Sequence, residues 1–168
     1  MALKVTLRKA VIADLSAVDG LLARSYPRLL KPDYPASVMV TALPIISRAR
    51  PELLASGRYF LAVDANGALL GAGGYSLAQP TARGDRALGH IRHVASDPAA
   101  TRQGVGRALM SVVLAAGWAE GVTTFDCLST RTAVPFYVAL GFNVLGEVDV
   151  SLAPGIHFPA VHMQRREI

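Results

Sequence analysis

Ser96-Asp97-Pro98-Ala99-Ala100-Thr101-Arg102-Gln103-Gly104-Val105-Gly106-Arg107-Ala108-Leu109 decides how the rest of this chain is read. Upstream, Leu88 to Val94 has the look of a strand, and Pro98 halts it because proline has no N–H for a ladder. Downstream, Val105, Leu109, Val112, Val113 and Ala116 fall on one helical face, so the spacing predicts a helix over 104–119, closed near Gly121. A helix start leaves N–H groups unpaired, and its dipole adds partial positive charge. Gly104 and Gly106 let a bulky group approach the backbone, and Arg102 and Arg107 add full charges. The pattern points to a phosphate or pyrophosphate. A tight loop feeding a helix is the reading that the glycines alone leave open. Two common nucleotide motifs fail: Arg107-Ala108 stands where a P-loop needs Lys-Ser/Thr, and Leu109 stands where the dinucleotide fingerprint needs a third glycine.

Around this turn the chain reads as one layered unit, residues 1–168. Lys4 to Arg8 alternates as a first strand. Asp14 is placed to cap a helix carrying Leu15, Val18, Leu21 and Leu22, and Pro27, Pro32 and Pro35 make 26–35 a loop. Weaker helical stretches cover 36–47, despite Pro44, and 51–56. Tyr59 to Val63 and Ala68 to Leu77 form a hairpin about Asn66-Gly67, with Gly71, Gly73 and Gly74 marking close packing or a bulge. A polar loop is expected at 79–86. Val122 to Leu128 is a strand, Arg131 to Leu140 a short helix, and 143–150 and 158–164 are strands about a Pro154-Gly155 turn. The order is that of a mixed α/β layer fold with one sheet and no domain break.

Composition bounds the function. Of 168 residues, 52% are apolar and 17% charged, the balance of a packed domain and not of a disordered chain. One cysteine, Cys127, precludes an internal disulfide framework. The apolar stretches at 33–48 and 108–119 are short of a membrane span, and the N-terminus lacks a signal-peptide core, so the expected location is cytoplasmic. The net charge of +5 raises nucleic acid, but Arg83, Arg86 and Arg92 are scattered and aromatics are only 7% of the chain, without a concentrated basic face. His90, His93 and Cys127 do not converge as metal ligands on strand geometry, and no Gly-x-Ser-x-Gly elbow is present.

The run Thr101-Arg102-Gln103-Gly104-Val105-Gly106 resembles the acetyl-CoA motif of the GCN5-related N-acetyltransferases (GNAT). The segment Phe136-Tyr137-Val138-Ala139-Leu140-Gly141-Phe142 is similar to the second signature of that family, and the element order matches across essentially the whole chain. Thr101 stands where the family often has Arg or Gln, and an Asn common before the second motif is missing near Thr130 and Arg131. The resemblance implies a mostly antiparallel, twisted sheet of about seven strands flanked by about four helices and splayed between strands 4 and 5.

It also implies a reaction. Acetyl-CoA is the expected cosubstrate, donating its acetyl group to a primary amine of a small molecule or peptide by direct attack in a ternary complex. The cofactor side comprises Val94, Ala95, Ser96, Thr101, Arg102, Gln103, Gly104, Val105, Gly106, Arg107, Phe136 and Tyr137. Tyr137 is the expected general acid toward the leaving thiolate, and a strand-end N–H at Val94 is the expected oxyanion donor. His93, or His90 in its place, is the candidate base; strict alternation puts the two on opposite faces, so one at most reaches a cleft. The acceptor is expected among 26–35, 75–80 and 151–158, with Tyr26, Asp33, Tyr34, Tyr75 and His157. The resemblance admits a homodimer. A non-catalytic acyl-CoA-binding module on the same fold is the alternative.

Overall fold

A computed structural model describes residues 4–78 and 88–167; the loop expected over 79–86, with Arg83 and Arg86, lies outside them. Seven strands form one sheet: β1 (Thr6–Lys9), β2 (Tyr59–Val63), β3 (Leu69–Leu77), β4 (Leu88–Ser96), β5 (Thr124–Ser129), β6 (Asn143–Ala153) and β7 (Ile156–Arg166). Their spatial order is β1-β2-β3-β4-β5-β7-β6. Every pairing is antiparallel except β4 with β5. Five helices accompany the sheet: α1 (Leu15–Leu30), α2 (Ala36–Ile46), α3 (Pro51–Ala55), α4 (Val105–Glu120) and α5 (Val134–Ala139).

Strand β2 is buried on both faces because its side chains alternate between two helical layers. Tyr59 and Leu61 pack with Val18, Leu21 and Leu22 of α1, while Phe60 joins Leu109, Met110 and Val113 of α4. Helix α4 follows the periodicity read from the sequence; its buried stripe is Val105, Leu109, Met110, Val113, Leu114 and Gly117. The glycine run of β3 serves close packing. A Cβ on Gly71 would lie 3.0 Å from Val105, and one on Gly74 would lie 2.1 Å from the Arg58 carbonyl oxygen. No helix among the described residues is long and apolar enough to cross a membrane.

Two local expectations are corrected. Helix α1 runs through Pro27 to Leu30, where a loop was expected from residue 26. Pro27 forfeits one hydrogen bond. That loss is offset by tertiary contacts that the local pattern does not reveal: Leu30 is buried with Tyr34 and Phe158, and the Tyr26 hydroxyl donates to the Val94 carbonyl at 3.2 Å. Asp14 does not cap α1 with its side chain. Its carboxylate instead accepts from the Val11 N–H at 2.8 Å and forms a two-pronged pair with Arg8 at 2.8 and 2.9 Å.

Candidate functional site

The sheet opens where β4 and β5 part. They pair in parallel only from Leu88–Thr124 through His90–Asp126, and the rest of β4 has no strand partner on that side among the described residues. On its other side β4 carries a bulge: Ala72 opposes Ala95 and Gly74 opposes Arg92, so Gly73 faces both His93 and Val94. His93 takes φ +47°, the left-handed region that a G1-type bulge demands of its first residue. Gly73 suits that place, since a Cβ on it would sit tightly, 3.0 Å from the Val94 side chain. Two tyrosines, Tyr59 buried and Tyr26 half-buried, fasten the bulge by hydrogen bonds to consecutive carbonyls. Tyr59 donates to His93 at 2.7 Å, and Tyr26 donates to Val94 at 3.2 Å.

The bulge corrects the alternation argument. With one extra residue in the strand, His90 and His93 both line a cleft of about 730 Å³, together with Tyr26, Arg50, Tyr75 and Arg92. Burial, then Arg50 and Arg92, push the His93 imidazole down to about 4. His90 is lowered by burial first and Arg92 second. A neutral imidazole with so low a value holds a proton poorly near pH 7. The Nδ1 atom of His93 is buried without a hydrogen-bond partner among the described residues.

On the anion-binding turn, Arg102 (φ +63°) and Gly104 (φ +83°) are both left-handed, and the turn from Thr101 to Gly104 is exposed. Successive N–H groups in such turns form a concavity for anions. Helix α4 contributes the N–H groups of Val105, Gly106 and Arg107; the Ala108 N–H is the first to bond back, to the Gly104 carbonyl at 3.0 Å. No acid occupies its first turn, and Arg102 and Arg107 are exposed at its rim. The two glycines have different reasons. A Cβ on Gly104 would point into open space, so its demand is conformational. A Cβ on Gly106 would lie 3.0 Å from the Phe136 ring, so that glycine joins α4 to α5. Thr101 and Gln103 turn back to the Pro98 and Ala99 carbonyls, at 3.1 and 3.4 Å. The turn therefore offers backbone donors and two guanidiniums, a set that fits a pyrophosphate.

Tyr137 stands behind the opening, 5% exposed, its ring edge-on to Phe136 and Phe142 at 5.2 and 5.3 Å. Its hydroxyl meets the Cys127 thiol; burial, then that thiol, hold the phenol well above its ordinary value. Burial likewise pushes Cys127 up to about 12, so the thiol is inert at neutral pH.

Several residues expected to line the acceptor side do other work. Asp33 accepts from the Thr132 hydroxyl at 2.7 Å, Tyr34 donates to the Pro159 carbonyl at 2.7 Å, and His157 pairs with Asp149 at 3.4 Å in an exposed position. None of the three borders the cleft, whereas Tyr26, Tyr75, Leu152 and Phe158 do. Arg50 and Arg58 are cleft residues that sequence reasoning missed, and Arg92 was weighed only for nucleic acid. No local pattern marks them, because they meet only through the sheet.

The chain belongs to the GNAT acetyltransferase family: the family model described as acetyltransferase (GNAT) domain matches residues 31–165. No curated protein matches it by sequence. Among similar solved structures is a GCN5-related N-acetyltransferase from Rhodopseudomonas palustris, with TM-score 0.78, 19% identity and 99% of each chain covered. The PaiA N-acetyltransferase of Thermoplasma acidophilum, in complex with coenzyme A, gives TM-score 0.73 at 14% identity over 98% of this chain and 99% of that one. A phosphinothricin acetyltransferase from Sinorhizobium meliloti, in complex with acetyl-CoA, gives 0.65 at 23% identity over 96% and 88%.

Proposed function

We propose that the protein is a cytoplasmic N-acetyltransferase whose acceptor is a primary amine of a small molecule or peptide. The observation that carries this reading is the opening between β4 and β5, with the left-handed turn and free N–H groups of α4 at one end and a cleft at the other. Acetyl-CoA is the cosubstrate and supplies an acetyl thioester. The N–H groups of Val105, Gly106 and Arg107, with the Arg102 and Arg107 guanidiniums, hold its pyrophosphate. Val94, Ala95 and Ser96 present main-chain groups to the pantetheine arm, as a sheet edge does to an added strand. Phe136 supports the turn through Gly106.

The Val94 N–H donates to the thioester oxygen and stabilises the charge that develops there as the amine nitrogen attacks the carbonyl carbon. The C–S bond breaks as the C–N bond forms. Tyr137 gives its phenolic proton to the departing sulfur; burial keeps that proton in place until then. The amine sheds its proton to water in the cleft and solvent restores the phenol, so protons balance over a turnover. His93, neutral near pH 7, orients the amine and does not store its proton. Cys127 takes no part, because its thiol is buried and protonated.

The test is release of CoA from acetyl-CoA across a broad amine panel, with coenzyme A binding measured in parallel. Turnover on a primary amine supports the reading. Tight coenzyme A binding without turnover on any amine replaces it with the non-catalytic module.

A further inference from the structure

Three arginines border the cleft, and their partners differ. Arg58 is neutralised: its Nε lies 2.9 Å from both carboxylate oxygens of Glu120, which also accepts from the Tyr75 hydroxyl. Asp126 is likewise spoken for, by His162 at 3.1 Å and Gln164 at 2.8 Å. Arg50 and Arg92 are different. Among the described residues neither has a carboxylate partner. Arg92 uses only its Nε, donated to the Ser76 hydroxyl at 2.8 Å, and its terminal nitrogens make no hydrogen bond among the described residues. Glu52 of α3 also lines the cleft, exposed, and pairs with neither.

We propose that Arg50 and Arg92 form an anion subsite, and that the acceptor is an amine that also bears a carboxylate. This rests on the acetyltransferase reading of the same cleft. Two guanidiniums that border one concavity, with no carboxylate among the described residues bonded to either, repel each other, and a planar carboxylate matches their forked donors. The same proximity shows in the electrostatics. Arg50 and Arg92 both depress His93, and Arg50 also depresses Arg92 after burial does. A purely cationic polyamine meets like charge here. Asp33, the acid that could have drawn it in, is turned to Thr132 outside the cleft. Once one carboxylate is bound, two guanidiniums still leave a net positive field. That field favours the neutral, nucleophilic form of the acceptor amine over its ammonium form.

Two measurements on the full chain separate the subsite from the reaction. The first is kcat/KM by CoA release for α-, β- and ω-amino carboxylates, each beside its own carboxamide, and for spermidine. The carboxylates should lead their carboxamides by about tenfold to a hundredfold, the scale of a hydrogen bond to a charged group. Arg50→Gln or Arg92→Gln should erase most of that lead, while Arg48→Gln, outside the cleft, should keep it. The second is binding of N-acetylglycine and its methylamide to the CoA-loaded protein, followed by NMR titration of His93. The carboxylate should raise the imidazole pKa by offsetting part of the arginines' charge, and the methylamide should leave it where it is. Turnover with equal rates for carboxylates and carboxamides, or with spermidine preferred, overturns the subsite and leaves the acetyltransferase. No turnover, with N-acetylglycine still shifting His93 in an arginine-dependent way, overturns the reaction and leaves the subsite. Failure of N-acetylglycine to bind or shift His93 overturns the subsite.

Discussion

Replacing His93 with Asn removes a titrating group from the bulge while keeping a residue that tolerates the left-handed backbone. The imidazole sits at about 4 in the folded protein against an ordinary value of 6.5, held down first by burial and then by Arg50 and Arg92. Its folded value is below its unfolded one, so acid favours the unfolded chain. Stability is intact above pH 6.5, declines as pH falls through 6.5 toward 4, and levels off below that. The full gap amounts to about 3 kcal/mol, of which about 2 kcal/mol is gone by pH 5. Asp14 and Glu120, both depressed by arginine partners, begin to matter only at lower pH, so the window from 7.5 to 5 isolates the histidines. His90 adds a smaller share of the same sign and stays in the variant. Urea unfolding at half-unit steps from pH 7.5 to 5 measures this. His93→Asn should lose most of the 2 kcal/mol decline. The same slope in parent and variant would refute the assignment of a neutral, arginine-flanked imidazole at the bulge.

Other perturbations probe other parts of the site. Tyr137→Phe should lower kcat at least tenfold, on the roughly 10²-fold scale of acid catalysis, with coenzyme A affinity unchanged by calorimetry; an unchanged kcat with chemistry rate-limiting removes the role. Gly104→Val should raise the acetyl-CoA KM through backbone strain of about 1–2 kcal/mol at φ +83°, because space is not what limits that position. Gly74→Ala should cost about 3 kcal/mol or more, since its Cβ would lie 2.1 Å from the Arg58 carbonyl oxygen and strand backbone must move. Thermal unfolding reads that loss, and an unchanged Tm would contradict the packing. Leu109→Ala, fully buried between α4 and the sheet, should cost about 2–5 kcal/mol in the same assay.

Much of the fold is legible in local chemistry. Gly67, Gly121 and Gly155 mark a hairpin turn, a helix end and a second turn, and each has a positive φ; so do Gly104, at the start of α4, and Gly141, just past α5. The stripe from Val105 to Ala116 fixes α4, because an apolar face at helical spacing has one way to be buried. Pro27 misled for the same reason that local reading works elsewhere: its cost is local, whereas the burial of Leu30 and the Tyr26 hydrogen bond come from residues far along the chain. The bulge was half legible. Gly71, Gly73 and Gly74 signalled close packing in β3, but the extra residue lies across the ladder at His93 and Val94, where no glycine announces it.

The sequence by itself determined the element order, the anion-binding turn, the helix that opens from it and the family these motifs point to. All of them depend on residues within a few turns of one another. Only the tertiary structure decided that both histidines reach the cleft, that Asp33, Tyr34 and His157 do not, and that Arg50 and Arg92 face the same space. Alternation is a rule for one strand, and a single inserted residue reverses it. Charge pairing is settled by distance across the sheet: Glu120, 62 residues away, neutralises Arg58, whereas no carboxylate among the described residues pairs with Arg50 or Arg92.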